Sequence, residues 1–372
     1  MAGIQYDRGV VDSFLELVRS VLYDKKIASF PTLSEGEWGT VLDIARKQTL
    51  VGILYSGVEN LPPSVIVPEN VSLQLMMEAS RIKSGSYEVL SVLKEVFSLL
   101  KGKGFHPEVL KGPSVARFYP HPELRQSGDL DIFLPAAEFG EAAFVLGDPT
   151  FTLPDGSVHY DWKGVDIDLH RNYFDLHVEK DSLPPVPSPY ATLVLLSSHI
   201  LKHCMGPGIG LRQLCDLAVA YEALRDDKPS QSEKESRNGR VSRETLLEYY
   251  SKAGILKWNM LLSSFLKEYL GTDGYPFDGG EVNSDKENGR DKDKSPDPDV
   301  SSLMARILQG GNFGHHEEER ETALHKAPLR RKFHTLRMYL KRMPFSLKYV
   351  PHEFWEEFKE LTVGNLRRKD IL

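Results

Sequence analysis

Two aspartates one residue apart, Asp129 and Asp131, open an apolar run in which they alternate with Leu130 and Ile132. In a strand of period two, both carboxylates share one face and the apolar side chains take the other. Like charges placed this way repel or raise a pKa unless a cation lies between them. The natural cation for adjacent oxygen ligands is Mg²⁺, usually held by one or two carboxylates plus substrate phosphates, and Mn²⁺ shares the preference. The plain alternative is a turn at Gly128-Asp129 with Asp131 a solvated strand residue. A second alternating run, Gly164-Val165-Asp166-Ile167-Asp168-Leu169-His170, adds two more carboxylates on one face. Upstream, Val109-Leu110-Lys111 followed by Gly112, Pro113 and Ser114 reads as a strand end, a tight turn and a helix entry, whose free N–H groups suit an anion. Three carboxylates on neighbouring strands beside such a turn fit a two-metal site for in-line displacement at phosphorus.

The elements that must position these residues follow from periodicity. Val11, Phe14, Leu15, Val18 and Leu22 predict an amphipathic helix over 9–24. Ser34-Glu35-Gly36-Glu37 has the form of a capping box, and the helix it starts continues through Leu54 until Leu61-Pro62-Pro63. Residues 69–103 form the longest helical pattern, with Leu73, Met76, Met77, Leu90, Leu93, Val96, Phe97 and Leu100 as its core-facing stripe. After Gly104 the pattern changes to mixed α/β: strands at 108–111, 130–134 and 165–170, helices at 114–118 and 136–146, and a hairpin pair at 150–153 and 157–162 around Asp155-Gly156. This order suits a small mixed sheet with helices on one side. Beyond a proline-rich linker at 184–189 the chain turns helical again, over 190–205 and 246–270.

The block Leu110-Lys111-Gly112, Tyr119-Pro120 and Arg125 through Gly128-Asp129-Leu130-Asp131 resembles that of bacterial proteins called uncharacterised nucleotidyltransferases, within the polymerase β-like nucleotidyltransferase superfamily. The likeness extends to Val165–His170, to Gly208-Ile209-Gly210-Leu211-Arg212-Gln213-Leu214-Cys215-Asp216 and to Gly310-Gly311-Asn312-Phe313-Gly314, and so spans roughly residues 35 to 355. It implies Mg²⁺-dependent transfer of a nucleoside monophosphate from an NTP, ATP by default, to an acceptor hydroxyl, with release of pyrophosphate. Asp129 and Asp131 would hold the metals, and Asp168 would be the third carboxylate and proton acceptor. Asp166 competes for that place, although the family's Asp-Leu-His ending favours Asp168. Nucleotide contacts would come from Lys111, Gly112, Ser114, Arg125, Gly128, His203 and Arg212.

Each assignment has a plainer counterpart. Ser114 follows an inserted Pro113 where the superfamily has adjacent Gly-Ser, and a helix N-cap is its alternative. Arg125 could brace the aspartates as well as a phosphate. Lys111 could be a solvated lysine, and His170 a supporting histidine. His199 and His203 have the i, i+4 spacing of metal ligands but no third partner, so they face the nucleotide or simply pack. Arg212 and Asp216 could form an ion pair along a helix.

A hydrophobic share of 41% and a charged share of 27% are those of a globular protein. The net charge of −7 argues against broad nucleic-acid binding. Cys204 and Cys215 form neither a disulfide framework nor a zinc site. With no leader and no apolar run of membrane length, the cytoplasm is the expected compartment. The expected class is α+β, a small mixed β-sheet core flanked by mainly helical regions. Its expected divisions are 1–104 helical, 105–185 nucleotidyltransferase core, 186–270 helical, 271–300 a flexible acidic loop and 301–372 helical. The acceptor is open: a small molecule, a protein or a tRNA. Two rival functions remain, a non-catalytic nucleotide-binding module, motivated by Pro113, and an RNA-directed toxin-like enzyme, motivated by the basic face of 328–343.

Overall fold

The computed structural model describes residues 6–152, 156–177, 190–206, 208–226, 243–272, 277, 297–312 and 328–367. The linker at 184–189, most of 227–242 and 273–296, the end of the Gly310–Gly314 turn, and the side chains of Arg330, Arg331 and Lys332 on the basic segment lie outside the described residues. Residues 6–175 form one compact unit and those from 176 onward a second.

The first unit opens with four helices. α1 (Arg8–Leu22) is capped by Asp7, whose carboxylate accepts from the backbone N–H of Gly9 at 2.8 Å. α2 (Glu35–Lys47) starts with the expected capping box: Glu37 N–H donates to Ser34 Oγ at 3.3 Å, and Ser34 N–H donates to Glu37 Oε2 at 2.7 Å. Ser34→Ala is expected to cost about 1 kcal/mol, measured as a lower urea midpoint with an unchanged slope.

Two helical expectations are corrected. The helix begun at Ser34 does not run on to Leu54. Thr49 adopts φ 55° and ends it, and α3 (Val51–Val58) begins separately. The change of direction presses Gly52 against the 3₁₀ turn Pro122–Leu124, where a Cβ would stand 2.0 Å from the Leu124 carbonyl oxygen. In α4 (Glu69–Gly102) the buried face is Val71, Leu75, Ala79, Val89, Val92, Val96 and Leu100. Leu73, Met76 and Met77 are about half exposed and Leu90 is exposed as well. Over the first four turns the core thus takes the neighbouring stripe, and counting apolar residues alone did not fix which one faces inward.

The sheet follows. β1 (Glu108–Val109), β2 (Leu130–Phe133), β3 (Phe151–Thr152), β4 (Val158–Trp162) and β5 (Val165–His170) are ordered β1-β2-β5-β4-β3. Among the described residues only the β2–β5 pair is parallel. Between β1 and β2 lie the single turn α5 (Pro113–Ala116) and the 3₁₀ turn; α6 (Ala136–Leu146) follows β2. Alternation splits the sheet as expected. Leu130, Ile132, Val158, Tyr160, Val165, Ile167 and Leu169 share one core with Val92, Val96 and Leu100 of α4 and Ala142 and Leu146 of α6. The polar residues of the same strands are left to the opposite face.

The second unit is helical: α7 (Ala191–Met205), α8 (Leu211–Asp226), α9 (Arg243–Lys252), α10 (Leu256–Phe265) with a π turn to Leu270, α11 (Pro298–Gly310), α12 (Pro328–Tyr349) and α13 (Pro351–Arg367). Its core holds Trp258, whose indole N–H donates to the Ser197 carbonyl at 3.0 Å. The architecture is therefore α+β, a small mixed sheet with helical flanks. Among the described residues no helix is long and apolar enough to cross a membrane.

Candidate active site

The polar face of the sheet gathers its charged groups at one rung. Parallel pairing sets Asp131 beside Asp168, and the antiparallel β4–β5 pair sets His159 on the other side of Asp168. Asp131 and Asp168 are both buried, while Asp129, one residue before β2, and Asp166 are exposed. Asp166 lies two rungs away, opposite Asp161. Ligand atoms from Asp131, Asp168 and His170 all lie within 4.8 Å of one another, and this trio is the metal-capable group among the described residues. Asp129 is not part of it.

Three cationic or protonatable side chains meet these carboxylates. Lys111 Nζ and His170 Nε2 each lie 2.9 Å from Asp131 Oδ1, and His159 Nδ1 contacts Asp168 Oδ1. Lys111 is therefore not a solvated lysine; its ammonium is largely buried. Burial draws its pKa down, but Asp131, Asp175 and Asp129 outweigh that, and the group ends above its ordinary value. Asp168 goes the other way. Burial first, then the charges of Asp129 and Asp131, push its carboxyl up to about 7 against the pull of His170 and Lys111.

A pH dependence follows. The unfolded carboxyl titrates near 3.9, so between about pH 4 and 7 the native state binds a proton that the unfolded chain has released. Stability present below that window is lost as pH rises through it, by at most about 4 kcal/mol. In EDTA, melting temperatures are expected to fall between pH 5 and 8, and Asp168→Asn should flatten that slope in calorimetric scans.

The remaining expected residues are placed as follows. Gly112 has φ 64°, a conformation an L side chain resists. Ser114 Oγ donates to the Leu110 carbonyl at 3.0 Å and does not cap α5, whose N-cap is Gly112. Arg125 is buried at the end of the 3₁₀ turn, and Gly128 is exposed. His203 and Arg212 belong to the second unit. There His203 Nε2 lies 3.0 Å from His199 Nε2, and Arg212 and Asp216 are both buried in α8, not on a solvated helix surface.

Two residues escaped sequence reasoning. Asp175, in the segment after β5, lies within electrostatic reach of Lys111, and no periodic pattern marks it. His159 had a usable signal. Lys163 and Gly164, at φ 57° and 82°, make a two-residue hairpin turn between β4 and β5. Counting back from that turn brings His159 opposite Asp168. Phe151 stacks on the His159 ring, centroids 4.2 Å apart, which fixes its plane.

The donor set suits a hard divalent cation. Two buried carboxylates share a rung, and burial together with the charges of Asp129 and Asp131 disfavours an ionised Asp168, a penalty that a cation there would offset.

Residues 34–247, more than half of the chain, match the sequence model of a family described as uncharacterised nucleotidyltransferase. No curated protein and no solved structure matches the chain.

Proposed function

Because the chain belongs to that family of nucleotidyltransferases, we propose that the acidic rung of its sheet transfers a nucleoside monophosphate from an NTP, ATP by default, to an acceptor hydroxyl. The acceptor oxygen attacks the α-phosphorus, the bond to the β-phosphate oxygen breaks and pyrophosphate leaves. The observation that carries this reading is the pairing of buried Asp131 with buried Asp168 on adjacent parallel strands.

Asp131 and Asp168, with Asp129 at the strand entry, would hold Mg²⁺ or Mn²⁺. Such an ion, when bound, neutralises triphosphate charge and polarises the phosphorus. The chain's own groups do the rest. Asp168, with a carboxyl near neutrality, takes the proton of the acceptor hydroxyl. His159 holds the carboxylate in place from the next strand. Lys111 and His170 balance Asp131 before substrate arrives, and Lys111 then has a phosphate to neutralise. Gly112 lets backbone approach the triphosphate without a side chain in the way.

A second reading has its own observation. With the Lys111 ammonium already on Asp131, the site is charge-compensated without a metal, as in a nucleotide-binding module that does not turn over. The two readings separate when the protein is incubated with each α-labelled NTP and Mg²⁺ or Mn²⁺, alone and with cell extract. Label reaching an acceptor with the unaltered chain but not with Asp131→Asn establishes the enzyme. No transfer and no pyrophosphate with any NTP, together with NTP binding indifferent to Mg²⁺, leaves the binding module.

A further inference from the structure

The polar face of the sheet continues past the acidic rung. Alternation along β2 puts Phe133 on the same face as Asp131, two residues and so about 7 Å further along the strand. There it stands between Glu108 on β1 and His170 on β5. Tyr173, in the segment after β5, meets the Phe133 ring edge-on, with centroids 5.3 Å apart and planes at 74°. Phe174 backs Tyr173 in turn, at 5.0 Å. Neither Phe133 nor Tyr173 belongs to the core beneath the sheet, and each keeps part of its surface open to solvent. Two rings set nearly perpendicular make a corner in which a third flat ring finds a face to stack on and an edge to meet.

The turn and the rung assign the directions around this corner. Leu110 N–H donates to the Asp131 carbonyl at 3.0 Å, so the chain leaving β1 runs on beside β2 and brings Gly112 level with Asp129. A Cβ added at Gly112 would have the Asp129 carbonyl oxygen as its neighbour, at 3.7 Å. The turn thus lies on the β1 side, at the end of β2 away from Phe133. With the β- and γ-phosphates at that turn and the α-phosphorus over Asp131 and Asp168, pyrophosphate departs toward Gly112. An in-line acceptor then arrives from the opposite side, across Asp168 on β5. Phe133 and Tyr173 stand off that line, on the β1–β2 side. The other flank offers the exposed carboxylates of Asp161 and Asp166 and no ring.

We propose, resting on the nucleotidyltransferase reading of the rung, that Phe133 and Tyr173 hold the base of the NTP by stacking. The rings offer faces and not a pattern of donors and acceptors, so the corner admits every base. Purines are favoured, because their larger face covers more of the corner.

The test is calorimetric titration of the full chain in Mg²⁺ with three ligands. Two are the α,β-methylene analogues of ATP and CTP, which cannot release pyrophosphate; the third is tripolyphosphate, which has no base. The ATP analogue should bind more tightly than the CTP analogue. Phe133→Leu and Tyr173→Leu each keep an apolar side chain and lose a ring. Each is expected to weaken the ATP analogue about 5- to 100-fold and to leave tripolyphosphate as it was, which also reports that the turn and rung are still in place. Analogue binding unmoved by both substitutions, or a CTP analogue that binds the parent more tightly, overturns the base seat while the reading of the rung stands. A loss shared equally by tripolyphosphate makes the rings mere supports of the site and overturns the seat as well. If the parent binds none of the three ligands, the reading of the rung falls and the base seat with it.

Discussion

Asp168→Asn and Asp131→Asn are both expected to lose nucleotidyl transfer, by roughly 10²–10⁴-fold or more, yet to move stability in opposite directions. The two carboxylates share a rung, but their surroundings differ. Asp168 is ionised at pH 8 against the pressure of burial and of two neighbouring carboxylates. A neutral amide relieves that pressure, so in EDTA the variant should melt higher than the parent. Asp131 instead accepts from a buried ammonium and from His170. Its amide leaves Lys111 desolvated with weaker compensation, and breaking such a buried pair costs on the order of 3–5 kcal/mol. Label transfer, read beside urea unfolding at pH 8 for both variants, checks the pair of signs. A fall in stability for both would mean that Asp168 is held as a structural anion, and the proton-accepting role would go with it.

Gly52→Ala is expected to be the most damaging single methyl in the first unit, at about 3 kcal/mol or more. The added carbon would stand 2.0 Å from the Leu124 carbonyl oxygen and 2.9 Å from its carbon. Both are backbone atoms, which cannot rotate away. The 3₁₀ turn ending at Leu124 leads through buried Arg125 to Asp129 and β2, so displacing it also displaces the entry to the acidic strand. Gly85→Ala, in the middle of α4 with nothing within 4 Å, is the control. It should gain about 0.5–1 kcal/mol from backbone entropy. Denaturant midpoints for both variants, with transfer activity for the first, measure the effect.

The strands and the short helix α6 were legible because period-two alternation and glycine or proline punctuation carry most of their information locally. The same alternation marked the pairs Asp129/Asp131 and Asp166/Asp168, while the preference for Asp168 over Asp166 came from the family likeness and not from the pattern. Which residues stand opposite each other is a long-range matter. The pairing of Asp131 with Asp168 depends on a crossover through α6, β3 and β4, and no local pattern states its register. His159 was within reach, since the Lys163-Gly164 turn fixes its partner. Asp175 was not, because an irregular segment carries it. In α4, several apolar residues lie on adjoining stripes, and the choice among them belongs to the helices and sheet it meets. The separation of α2 from α3 comes with the left-handed Thr49 and places Gly52 against a turn far along the chain, and neither is marked by a local pattern.

The one parallel pair in the sheet also sets an order in time. Antiparallel neighbours joined by a two-residue turn close within microseconds, whereas a parallel pair must first bring together strands held apart by a long stretch of chain. During synthesis β2 emerges well before β5, and until β5 arrives the Asp131 carboxylate has no partner strand to share a cation with. The helices and the β4–β5 hairpin can therefore form in a chain whose Asp131 and Asp168 are still apart, and if the rung holds a divalent ion as proposed, affinity for that ion reports the pairing of β2 with β5.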